Sequence, residues 1–118
     1  MPNSGIGPNK PAPPYWAVIF TNQRTQTDEQ GYQATAKRMA ELALSQPGCL
    51  GYVSTRDAQG FGVTVSYWQN EASIKVWRDH PEHQKAQTLG REKWYSCFDL
   101  QVAHVVRTYA FEKEHESP

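Results

Sequence analysis

From Pro81 onward the chain sets a histidine, an amide, a guanidinium and an aromatic pair at roughly helical spacing: His83, Gln87, Arg91 and Trp94/Tyr95. An imidazole can take the proton of a phenolic hydroxyl near neutral pH, where its own charge state is adjustable. A guanidinium can stabilise the oxyanion left behind. Trp77, Trp94 and Tyr95 can line a cage for a flat ligand. Each residue also has a plain alternative. His83 can be a solvated histidine in the first turn of a helix, and Arg91 can make a surface ion pair with Glu92, Asp99 or the first helix. The aromatics can be ordinary core. His80 and His83 stand three apart, as metal ligands on a helix can. Two ligands do not make a site, however, and no third Cys, His or carboxylate is placed beside them, so no metal is expected.

These residues need a strand and two helical pieces to position them. Gly62–Trp68 alternates Val63, Val65 and Tyr67 with Thr64, Ser66 and Trp68, a strand pattern. Asn70 is suited to cap the next helix, in which Ile74 and Trp77 lie three apart. Pro81 restarts the helix as a second piece. Upstream, Tyr15–Thr25 reads as a first strand. Thr27 or Asp28 can cap a helix whose apolar stripe is Tyr32, Ala36, Met39, Ala40 and Ala43, and Pro47-Gly48 ends it. Cys49–Arg56 is a second strand, and the Asp57–Gly60 turn leads into the third, Phe61–Trp68. The fourth is predicted over Phe98–Phe111.

The order is β-α-β-β-α-β: an α+β, ferredoxin-like arrangement with four antiparallel strands and the helices on one face. The opposite face is apolar and nothing in this chain can cover it, which predicts a homodimer joined sheet to sheet about a two-fold axis. Residues 1–14 hold five prolines and two glycines and read as a flexible arm. Residues 15–111 are the domain, and 112–118 form a polar tail. Twelve Lys+Arg balance twelve Asp+Glu, which argues against nucleic acid or an anionic membrane as partner. With no secretory segment or membrane span apparent, the cytoplasm is expected. Cys49 and Cys97 read as buried free thiols rather than a disulfide.

The order of elements, the strand ending VSYW (65–68), the helix EASIKVW (71–77) and the segment HPEHQKAQTLGREKWY (80–95) resemble the antibiotic biosynthesis monooxygenase family of dimeric α+β barrels. The resemblance spans about residues 15–110. It implies a pocket between sheet and helices in each subunit of a dimer, and oxidation of polycyclic phenols, quinols or haem by dioxygen, in many members with neither flavin nor metal. It singles out Trp77 among the aromatics. The haem-degrading branch uses an Asn on the first strand, a Trp on the second helix and a His ten residues beyond that Trp. Trp77 matches the Trp and Asn22 lies near the Asn position, where it can hydrogen-bond a ligand or simply belong to the turn after the first strand. Gln87 stands where the His would be.

The reading that follows is a small cofactor-independent monooxygenase acting on a planar phenolic or quinol substrate. His83 is its base, Arg91 stabilises the anion, and Asn22, Trp77, Gln87, Trp94 and Tyr95 bind the aromatic ligand. A haem-degrading monooxygenase and a non-catalytic ligand-binding or structural dimer are the alternatives.

Overall fold

The computed structural model describes residues 11–114, so most of the Pro-rich arm and the last four residues of the tail lie outside the described residues. Four strands, β1 (Tyr15–Arg24), β2 (Cys49–Arg56), β3 (Phe61–Trp68) and β4 (Tyr95–Val105), form one antiparallel sheet in the order β2-β3-β1-β4. Helices α1 (Glu29–Ser45), α2 (Glu71–Arg78) and α3 (Pro81–Leu89) lie on one face, and a π-helical segment, Gly90–Trp94, joins α3 to β4. This is the ferredoxin-like α+β fold, and the sheet stays open in the single chain. Among the described residues no helix is long and apolar enough to cross a membrane.

Local chemistry sets the boundaries. Asp28 takes the left-handed conformation (φ 53°), and its carboxylate accepts from Gly31 N, capping α1. A side chain at position 31 would collide with that carboxylate, so the glycine makes room for the cap. Gly48 (φ 85°) turns the chain from α1 into β2, a backbone state that L side chains resist. Asn70 Oδ1 accepts from Ser73 N at 2.8 Å to start α2, and Pro81 at the first turn starts α3.

The even-numbered residues of β1 and β3 face the helices. Trp68, Ala43 and Trp77 are the buried centre, with Trp16, Val18, Met39, Leu42, Tyr52 and Ile74 packed around them. The odd-numbered face has no helix over it, and Ile19, Val53, Val63 and Val65 are left half-buried there.

β4 departs from the sequence reading at both ends. It begins at Tyr95 rather than Phe98, because the Trp94 carbonyl is taken by Thr25 N (2.9 Å) and a bulge at Gln23/Arg24 lets Tyr95 pair with Arg24. It ends at Val105 rather than Phe111. β4 is an edge strand paired only to β1, whose first residue, Tyr15, already lies opposite Val105. Edge position also explains why Cys97 is exposed rather than buried, while Cys49 is partly covered, and burial pushes its thiol pKa up.

Candidate active site

The helix-facing side of β1 runs Trp16, Val18, Phe20, Asn22 and Arg24, and register sets His104, Val102, Leu100 and Phe98 of β4 beside the first four. Phe98, Leu100 and Val102 are 44%, 55% and 46% exposed, so this strip is open apolar surface on the helix side of the sheet. Six residue steps along β3 lead from Gly62, opposite Asn22, to Trp68, opposite Trp16. At 3.3 Å per residue the two ends of the strip are about 20 Å apart. The candidate residues divide between these ends.

At the Trp16 end, Trp77 (7% exposed) lies nearly parallel to Trp68, with ring centroids 6.5 Å apart. The His83 ring stacks on Trp77 at 4.0 Å and 13°. His83 Nδ1 is 2.9 Å from the Trp77 carbonyl, which can only accept, so Nδ1 carries the proton and Nε2 holds the free lone pair. Burial lowers the His83 pKa from the ordinary 6.5, partly offset by that carbonyl, so the ring is neutral at pH 7 and able to accept a proton. Gln87 donates to Arg78 O (3.4 Å) and approaches His83 at 3.5 Å. His80 is occupied otherwise: its Nδ1 accepts from Glu82 N at 3.1 Å and caps α3.

At the other end, Asn22 is 2% exposed, and neither Nδ2 nor Oδ1 has a hydrogen-bond partner. Leaving a buried polar group unsatisfied costs about 1–3 kcal/mol, so an orphaned buried amide needs an explanation. Phe20, Tyr95, Phe98 and Tyr32 form an aromatic chain around it: Phe20–Tyr95 5.4 Å, Phe20–Phe98 5.5 Å, Tyr32–Tyr95 6.0 Å. Arg24 is buried and structural. It donates to Trp94 O (2.7 Å) and to Glu29 Oε1 (2.9 Å), and its guanidinium carbon lies 3.9 Å from the centre of the Tyr32 ring. Trp94 is equally structural, buried against Tyr32, with Nε1 donating to Asp28 at 3.3 Å.

The single helical face predicted for His83, Gln87, Arg91 and Trp94/Tyr95 does not survive the π-helical segment. A π turn takes one residue more than an α turn and rotates everything beyond it. Arg91 is left exposed, 5.9 Å from the Phe98 ring, and makes no ion pair with Glu92 or Asp99. Tyr95 passes into β4, its ring pressed against Gly90, where a Cβ would meet it at 2.8 Å. Burial keeps the Tyr95 phenol protonated well above its ordinary range.

Sequence reasoning missed Arg56, Tyr32 and Arg24. Arg56 donates to Tyr32 Oη and to Gly60 O, both at 2.6 Å. The one available signal was alternation: Phe20, Asn22 and Arg24 share a side of β1, which puts polar residues where a core-facing strand should be apolar.

These residues do not fit haem. Gln87 offers an amide where the haem-degrading branch has its imidazole, the His83 ring is stacked on Trp77, and His80 Nδ1 is engaged as a cap. Among the described residues no three His, Cys, Asp or Glu side chains converge as a metal site.

The sequence pattern of the antibiotic biosynthesis monooxygenase family matches residues 17–89. The uncharacterized protein YqjZ of Bacillus subtilis is 48% identical over 103 residues, covering 87% of this chain and 90% of that protein. Rv0793 of Mycobacterium tuberculosis shares the fold with a TM-score of 0.71 at 15% identity, over 81% of this chain and 99% of its own. A crystal structure of an antibiotic biosynthesis monooxygenase superposes with a TM-score of 0.69 at 15% identity, over 78% of this chain and 99% of its own. With a match running from near the start of β1 to the end of α3, the chain belongs to the antibiotic biosynthesis monooxygenase family.

Proposed function

We propose that this family member is a monooxygenase that oxidises a planar phenolic or quinol substrate, lying along the β1–β4 strip, with dioxygen and no bound cofactor. The observation that carries the reading is Asn22, a buried amide with both polar atoms unpartnered at the end of an open apolar floor. A flat ligand with an oxygen function would cover Phe20, Leu100 and Val102 and supply the partner that Asn22 lacks. In this reading His83 Nε2 takes the proton of a hydroxyl at the Trp77 end of the ligand, and a second oxygen function meets Asn22 at the other end. Gln87 and Arg91 flank the ligand, and the electron-rich anion, its charge spread through the conjugated rings, reacts with dioxygen. For a quinol, one oxygen atom enters the ring and the other leaves as water, and both electron pairs come from the substrate. Trp77 and Tyr95 shape the walls, and Trp94 supports them from behind.

The working unit is proposed to be a homodimer, two sheets closing as a barrel over their odd-numbered faces. The half-buried Ile19, Val53, Val63 and Val65 support it. Light scattering at micromolar concentration tests this, and a monomer would end it.

Oxygen uptake and incorporation of labelled dioxygen on a hydroquinone and anthrone panel test the activity. Turnover by wild type and His80→Ala with loss in His83→Ala is expected. A dimer that binds flat ligands without turnover is the second reading. It is favoured by the stacking of His83 on Trp77, which commits one ring face of each to packing, and it takes over if wild type consumes no oxygen.

A further inference from the structure

We infer that Arg56, held flat over Gly62 and bonded to Tyr32, is the group that selects the anionic form of the ligand on this strip, a phenolate or enolate oxygen meeting it beside Asn22. This rests on the β1–β4 strip being the ligand site, but it depends on charge rather than on turnover.

Three observations converge. First, the guanidinium is placed by the backbone. Gly62 lies opposite Asn22 in the β1–β3 register and opposite Arg56 in the β2–β3 register. A Cβ at position 62 would meet Arg56 Cζ, Nη1 and Nη2 at 2.6–2.7 Å, so only glycine lets the guanidinium rest there. Side chains on register partners stand roughly 4.5–5.5 Å apart at Cβ, which makes the guanidinium the lateral neighbour of the orphaned Asn22 amide.

Second, the charge is not balanced locally. Arg24 and Arg56 both approach the Tyr32 ring, at 3.9 Å and 5.3 Å, and Glu29 is the carboxylate in ion-pairing contact with this cluster. Glu29 pairs with Arg24 at 2.9 Å, and its single charge also reaches Arg56, so one carboxylate serves two guanidiniums. Among the described residues Arg56 makes no ion pair; its partners are a phenol and a backbone carbonyl. Arg91 adds a further cation near Phe98. The other titratable groups, Tyr52 and Tyr95, have pKa values raised by burial and stay neutral. One half-buried positive charge is therefore surplus, a condition that favours an anion of the ligand.

Third, donors remain. Tyr32 accepts from Arg56, which leaves its own hydroxyl proton to give, while Asn22 Nδ2 is free. An oxyanion entering between Phe98 and Asn22 finds an amide, a phenol and a guanidinium. That is a donor set suited to an oxygen whose charge develops on deprotonation.

The test uses 4-nitro-1-naphthol, whose naphtholate absorbs at longer wavelength than the naphthol, with its methyl ether as the neutral control. Bound to the wild-type chain, the probe should ionise about 1–2 pH units below its free value. Arg56→Gln should return the bound value to that of the free probe and leave methyl ether binding unchanged. Arg56→Lys should keep part of the shift. Gly62→Ala, which displaces the guanidinium without removing it, should lose most of it. An unchanged shift in Arg56→Gln, or a shift that follows Arg91→Gln instead, overturns the assignment. Binding of neither probe to wild type overturns the assignment and the ligand site together. A normal shift in a protein that consumes no oxygen on the quinol panel upholds Arg56 and removes the monooxygenase reading alone.

Discussion

The two ends of the strip are built on opposite terms. Around Trp77 none of the described residues has a fully buried polar atom without a partner: His83 Nδ1 has its carbonyl, His80 caps a helix, and the rings stack in near-parallel pairs. Around Asn22 polar atoms are buried without partners, and among the described residues Arg56 makes no ion pair. Packing alone accounts for the first end. It does not account for the second, because folding would gain by replacing Asn22 with something apolar. The lesson is that residue type is a poor guide to role in this fold. The tryptophan and histidine that attract attention in sequence stack on each other beside the core, while an asparagine no pattern singled out for burial is left with polar atoms that packing does not satisfy.

The largest effect that could break this contrast is catalytic. If His83 is the base, His83→Ala lowers turnover of an active quinol about 10²–10⁴-fold while His80→Ala stays near wild type. Equal rates in all three proteins would move proton transfer away from the Trp77 end and leave that end purely structural. Next in size is Trp77→Ala, expected to cost about 3–5 kcal/mol in denaturant unfolding, as removal of a buried indole does. A loss below about 1 kcal/mol would mean that the site is looser than a core. Opposite in sign is Asn22→Leu, expected to raise stability by about 1–3 kcal/mol while weakening binding of the naphthol probe. If it destabilises instead, Asn22 has a structural partner and the contrast between the two ends fails.

How much of this was legible in the sequence follows from where each contact is made. β2 and β3 were read to the residue because the Asp57–Gly60 turn punctuates them, and Asn70 and Pro81 marked the starts of α2 and α3. β4 was misplaced because its limits are set by β1 and by a π-helical segment that carries no compositional mark. The His83–Trp77 pair lies six residues apart on two helices divided at Pro81; His83 is marked by its spacing with Gln87 and Arg91, and Trp77 by the family resemblance. The Asn22–Arg56–Tyr32 arrangement could not be found that way. It joins β1, β2 and α1 through a β3 glycine, and only strand register brings these together.

The smallest effect is a pH dependence that belongs to the Trp77 end alone. Burial lowers the His83 pKa below the 6.5 of an exposed histidine, and neighbouring His80 lowers it a little further. Below pH 6.5 the unfolded chain binds a proton that the folded ring refuses, so stability falls as pH drops from that value. The fall ceases once the folded ring is protonated as well, and above pH 6.5 His83 contributes no slope. Asp28 and Glu82, held below the carboxylate range by Lys93 and Arg38, lose their contributions only at lower pH, as their carboxyls protonate, so the two windows separate. Melting temperatures between about pH 5 and 8 should therefore slope more steeply below pH 6.5 in wild type than in His83→Leu. Kinetics offers the companion reading: a neutral His83 base puts the acid limb of kcat/KM below pH 6.5. Parallel melting profiles would mean that the ring is freely solvated in both states. An acid limb above 6.5 would mean that some other group takes the proton, and the Asn22 end would then have to hold the base as well as the anion.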